Sequence, residues 1–185
     1  MGLQALLGFA PFVTFALIEK PVGITSGLTA AFALSLALVV WQAFRHRTAN
    51  ILELGSALLF GGLALLALHG DQAWSVWQVR FHVDAGLALV VFLSVLLRRP
   101  FTLQHGRKMV SADVARQPDF LRRNDILSGM WGLAFVGLAA TDFYMASFPE
   151  APARRGILVT LAILGTAAKF TQWYVKNIQN RSRTI

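Results

Sequence analysis

The chain has 185 residues, of which 56% are hydrophobic and 14% charged, with a net charge of +8 and a mean hydropathy of +0.57. That balance lies outside the range of a soluble domain of this length, and the length leaves room for one domain. The basic residues stand in short clusters between apolar runs, which is a pattern of membrane topology and excludes a phosphate-tracking, nucleic-acid-binding face. The chain has no cysteine, which excludes disulfides, thiolate metal sites and cysteine nucleophiles.

Six segments reach or approach the length needed to cross a ~30 Å hydrocarbon core: residues 3–18, 22–44, 51–69, 77–97, 126–148 and 157–178. They predict an all-α fold, a polytopic transmembrane helical bundle of six spans in a single domain, 1–185, with five spans as the alternative. The first segment is short and contains Pro11, so tilting, kinking or a partly interfacial position is open to it. It does not read as a signal peptide: no basic region precedes it, and Glu19-Lys20-Pro21 follows in place of a small-x-small cleavage site. The fourth is made marginal by Arg80 and Asp84.

Between six spans the Lys and Arg residues divide twelve to three. One side holds Arg45, Arg47, Arg98, Arg99, Arg107, Lys108, Arg116, Arg122, Arg123, Lys176, Arg181 and Arg183; the other holds Lys20, Arg154 and Arg155. The positive-inside rule then predicts a multi-pass protein of the bacterial inner membrane with both termini in the cytoplasm. Loop 98–125 is the one connection with room for structure. It mixes apolar residues, among them Phe101, Leu103 and Phe120, with Arg98, Arg99, Arg107, Lys108, Arg116, Arg122 and Arg123. It is expected to lie on the inner membrane surface against anionic lipid, with Pro118 interrupting any continuous helix. Rows of small residues, Thr25-Thr29-Ala33-Ala37 in the second span and Ala57-Gly61 in the third, mark expected helix contacts, with generic membrane composition as the alternative.

The polar residues inside spans carry the candidate site. Charge in a bilayer span is costly, so it usually pairs, meets water or functions. Arg80 and Asp84 are four residues apart and share a helix face. Asp84 lies ~10 Å in from Trp77, and Asp142 lies ~9 Å in from Phe148 on the same side. Arg80, His82, Asp84, Asp142 and Lys169 therefore form the candidate polar pocket, although His82 is turned roughly 200° from its neighbours Arg80 and Asp84. For the three charges the plainer alternative is a structural ion pair between spans four and five. For Lys169 it is a stem that snorkels toward the inner face beside Gln172 and Trp173. Glu53 is expected to pair with Arg45 or Arg47 or to cap its helix, and Glu19 to need no special role. His46, His69, His82 and His105 do not match in depth, which argues against a haem carried between two of them. No protease, hydrolase, P-loop or dinucleotide motif occurs, so no catalytic residues, metal or cofactor are assigned.

Several stretches resemble a known family. Gly8-Phe9-Ala10-Pro11-Phe12 is similar to its opening F-x-P segment, and Phe60-Gly61-Gly62-Leu63-Ala64-Leu65 to its third span. Leu97-Arg98-Arg99-Pro100-Phe101 resembles its basic-Pro exit from the fourth span. Trp131, Gly137-Leu138-Ala139 and Asp142-Phe143-Tyr144 resemble its fifth. The family is that of the bacterial intracellular septation protein A-like inner-membrane proteins. The chain departs from it at Asp142, where the family usually has Asn, and at Gln78-Val79-Arg80, which replaces a lysine-rich entry. The resemblance implies a non-enzymatic envelope protein connected with division and cell-wall synthesis, acting through envelope or division proteins or lipid, and it supplies no catalytic residues. The leading expectation is thus a non-enzymatic inner-membrane protein of septation type, forming a homo-oligomer. The alternative is a small ion or solute channel or transporter using Arg80, Asp84 and Asp142 as an outward-facing site, and a third class, an intramembrane enzyme or haem carrier, rests on His82.

Overall fold

A computed structural model describes residues 3–46, 51–70, 74–107 and 110–182. The described residues are helical apart from short connections: α1 (Leu3–Val22), α2 (Ile24–His46), α3 (Ile51–His69), α4 (Val76–Leu96), a short α5 (Phe101–Gly106), a 3-10 turn (Val114–Arg116), α6 (Pro118–Ser147) and α7 (Ala153–Ser182). Five of them, α2, α3, α4, α6 and α7, are long and apolar enough to cross a membrane. The all-α, polytopic expectation holds. In lipid this is the economical solution, because a helix satisfies its backbone hydrogen bonds internally.

Helix α1 is the sixth long helix and continues through Pro11. Gly23 alone separates it from α2, at φ 111°, a backbone conformation that glycine adopts without the Cβ penalty. The chain folds back there, and Gly27 admits Phe15 and the Glu19 backbone so closely that a Cβ on it would stand 3.1–3.2 Å from them. Near its start, Gly8 lies beside Leu52 at the beginning of α3; near its end, Glu19 lines a cavity with Arg80 of α4 and Thr160 of α7. Helix α1 therefore runs the length of its neighbours.

Successive long helices are neighbours, and α4 packs most extensively against α6. The core is Leu28, Phe60, Val79, Leu87, Val91, Phe135 and Leu138 with their surroundings. Glycines set the close approaches: a Cβ on Gly132 would meet Phe92 at 2.9 Å, and one on Gly61 would meet Phe32 at 2.8 Å. The Ala57-Gly61 row is buried as expected. The Thr25-Thr29-Ala33-Ala37 row is corrected: Thr29, Ala33 and Ala37 are exposed, and α2 turns Leu28, Ala31 and Ser35 inward instead.

Segment 98–125 is not one loop: it holds α5, the 3-10 turn and the first turns of α6, and no single helix crosses it, as Pro118 leads one to expect. Pro118 occupies the first turn of α6, where its missing N–H costs nothing. Helix α6 has 30 residues, so it runs ~45 Å and its first turns extend past a ~30 Å core. Helix α5 tucks Phe101 and Leu103 into the bundle and leaves Arg98, Arg99 and Arg107 exposed. Its anchoring is polar. Ser94 Oγ accepts the Phe101 N–H (3.2 Å), Thr102 Oγ1 donates to the Asn124 carbonyl (2.9 Å) and contacts Ser128 Oγ (2.8 Å), and Gln104 Oε1 accepts the Ile51 N–H (2.9 Å).

Candidate functional site

The site lies at the end of the bundle where α1 and α6 finish and α4 and α7 begin. A capping box starts α4: Ser75 Oγ accepts the Gln78 N–H at 3.2 Å while Gln78 Oε1 accepts the Ser75 N–H at 2.8 Å. Because the cap sets the first helical residue at Val76, Arg80 comes one turn in and Asp84 two. Trp77 packs against Gly156 of α7, where a Cβ would stand 2.8 Å from its ring, so α4 and α7 approach closely at this level.

Arg80 and Asp142 meet. Arg80 Nε lies 3.8 Å from Asp142 Oδ1, with the Arg80 side chain 30% exposed and Asp142 1% exposed. The guanidinium also lies over the Trp77 ring, 5.2 Å from its centre. The salt bridge thus crosses from α4 to α6 and does not run along α4 to Asp84. Asp84 stands beside Asp142 within hydrogen-bond reach of its carboxyl. Two ionised carboxylates would offer each other only acceptors, so the contact between them requires one shared proton.

A cavity of about 210 Å³ opens beside this pair. Phe12, Phe15 and Glu19 of α1 form one side, Arg80 and Asp84 of α4 the back, and Thr160 and Leu164 of α7 the other side. The deeper wall is Leu87, Phe135 and Leu138, all apolar. Glu19 is the residue that sequence reasoning missed. It lines the cavity, and its Oε2 is buried without a hydrogen-bond partner. Its distance from the end of the first span was available as a signal; the hairpin at Gly23 that swings it toward α4 was not.

The other candidates do not join the cluster. His82 is exposed, stacks on Trp74 (ring centres 5.3 Å apart, 13° between planes) and places Nδ1 2.7 Å from the Gln78 carbonyl. Lys169 is exposed on α7. Arg98, Arg99, Arg107 and Arg122 are exposed and Arg123 is half-buried, at the opposite end of the bundle; Lys108 falls outside the described residues. Glu53 is buried in the first turn of α3. Trp131 of α6 donates from Nε1 to Thr171 Oγ1 of α7 at 3.2 Å, so this residue of the resembled fifth span fastens two helices. Among the described residues no group of acids and histidines converges closely enough to hold a metal ion.

No family profile and no solved structure matches the chain. Curated relatives do. The inner membrane-spanning proteins YciB of Burkholderia mallei (strain NCTC 10229) and Burkholderia pseudomallei (strain K96243) are each 35% identical over 151 residues, covering 77% of this chain and 78% of theirs. The YciB of Burkholderia orbicola (strain MC0-3) is 34% identical over 147 residues, with the same coverage, 77% and 78%. These names speak of spanning the inner membrane and not of septation. With five helices fit to cross a bilayer and relatives alike over 77% of its length, the chain belongs to the family of the inner membrane-spanning protein YciB and is a multi-pass inner-membrane protein.

Proposed function

We propose that this chain is a non-enzymatic envelope protein of septation type, a six-crossing bundle that acts through protein or lipid partners. The observation that supports it best is the use made of the charges in the spans: the Arg80–Asp142 pair fastens α4 to α6, the most extensive helix contact in the bundle. The rival reading, a pathway for a small ion or solute, needs polar groups that continue inward. The cavity ends instead on Leu87, Phe135 and Leu138.

The proposed orientation places both termini and the basic 98–125 segment in the cytoplasm, on the twelve-to-three division of Lys and Arg. Reporter fusions at Ile185 and in the 150–154 turn are expected on opposite sides of the membrane; the same side for both would refute six crossings. The function is tested by complementing a strain that lacks the protein with Asp84→Asn, which leaves the Arg80–Asp142 pair in place. A scaffold keeps its effect when this acid is neutral; a permeation pathway loses it, and liposome flux with the purified protein would then reveal the solute.

A further inference from the structure

We propose that the Asp84–Asp142 contact is a proton-operated latch on the seam between α4 and α6. With the shared proton in place the two helices are held together at the cavity end of the bundle; without it they part there. This goes beyond the envelope role above and does not depend on it.

The charges come first. Asp142 is 1% exposed, and the Arg80 Nε that faces it stands 3.8 Å away, beyond hydrogen-bonding distance. Asp84 reaches it from α4 within hydrogen-bonding distance. With Asp142 ionised against Arg80, the proton of that contact sits on Asp84, whose hydroxyl donates to an Asp142 oxygen. Of the other elements around the pair, α1 brings Glu19, with Lys20 beside it, and α7 brings Thr160 and Leu164, which do not titrate. Taking the proton away leaves two carboxylates in contact, a third carboxyl nearby, and one guanidinium that is 30% exposed. Like charges that close, out of water, repel strongly.

The seam has two parts. Deeper in the bundle, a Cβ on Gly132 of α6 would stand 2.9 Å from Phe92 and 3.2 Å from Val91 of α4, a close apolar fit with nothing to titrate. At the cavity end, Arg80, Asp84 and Asp142 join the helices, and α7 sits across both. A Cβ on Gly156 of α7 would stand 2.8 Å from Trp77 of α4 and 2.9 Å from Met145 of α6. Asp84 also lines the cavity, which gives its proton a way out. Loss of the proton therefore spreads α4 from α6 at this end and unseats the first turn of α7, while the deeper packing stays. The closed contact holds a proton that the parted carboxyls release, so its stabilisation is present at low pH and lost as pH rises.

The test uses the full-length protein in mild detergent, unaltered and with Asp84→Asn. An asparagine amide donates to Asp142 at every pH, so the variant keeps the hydrogen bond without a proton to lose. From about pH 5 to about pH 9 the Tm of the unaltered protein is expected to fall by about 5 °C more than that of the variant. Parallel Tm curves would overturn the proposal. The chain has no cysteine, so spin labels attach only at introduced ones. Labels at His82→Cys on α4 and Ser147→Cys on α6, both exposed positions, are expected to move apart as pH rises and to return when it is lowered. An unchanged distance over the same range would overturn the latch, whether or not Asp84→Asn folds.

Discussion

The two ends of the bundle hold most of their polar groups in different ways. At the α5 end, Ser94, Thr102, Gln104, Asn124 and Ser128 are uncharged and bonded to one another or to backbone, and together they hold α5 in place, with Glu53 the buried ionisable group at that end. At the other end, Glu19, Arg80, Asp84 and Asp142 are ionisable, joined by one 3.8 Å ion pair, and set beside a cavity. A satisfied neutral network rigidifies a structure. The difference separates architecture from candidate function within one bundle.

The comparison breaks most easily at Arg80. Arg80→Leu leaves buried Asp142 without its cation and is expected to cost about 3 kcal/mol, the lower end for breaking a buried pair because the guanidinium is 30% exposed. Replacing Arg80, Asp84 and Asp142 all by Leu is expected to cost less than Arg80→Leu alone, since removing a whole charged set can be near neutral. Thermal unfolding in detergent measures both; strictly additive losses would mean that the three side chains do not interact. At the α5 end, Thr102→Val removes a hydroxyl from a neutral network and is expected to cost about 1 kcal/mol. A larger loss there would erase the contrast between the two ends.

The remaining predictions sharpen the α5 end. Neutralising Arg99, Arg107 and Arg122 to Gln in the intact protein is expected to weaken binding to anionic vesicles by roughly 1 kcal/mol per charge at low salt, with the difference fading as ionic strength rises. Equal binding to neutral and anionic vesicles by the unaltered protein would remove this role. The smallest effect concerns Arg98, which follows the end of α4 at φ 55° while its N–H bonds the Val95 carbonyl at 2.9 Å. This is the left-handed position that glycine fills without strain, so Arg98→Gly is expected to raise stability by about 0.5–1 kcal/mol, read as a higher Tm.

Much of this molecule follows from position along the chain. Helices in a bilayer rise ~1.5 Å per residue, so the spacing of apolar runs sets how many there are, and Arg80, Asp84 and Asp142 come to matched depth by counting inward from Trp77 and Phe148. The clustering of Lys and Arg sets the expected orientation in the same linear way. Rotation about each helix axis is a different quantity, and packing decides it. Counting residues could not show that Arg80 would turn to Asp142 and not to Asp84, that Thr29, Ala33 and Ala37 would face outward, or that His82 and Lys169 would stand apart from the cluster. Nor could it bring Glu19 to the cavity. That needed the one-residue hairpin at Gly23 and the fit of Phe15 against Gly27, contacts between elements that no single helix's sequence contains.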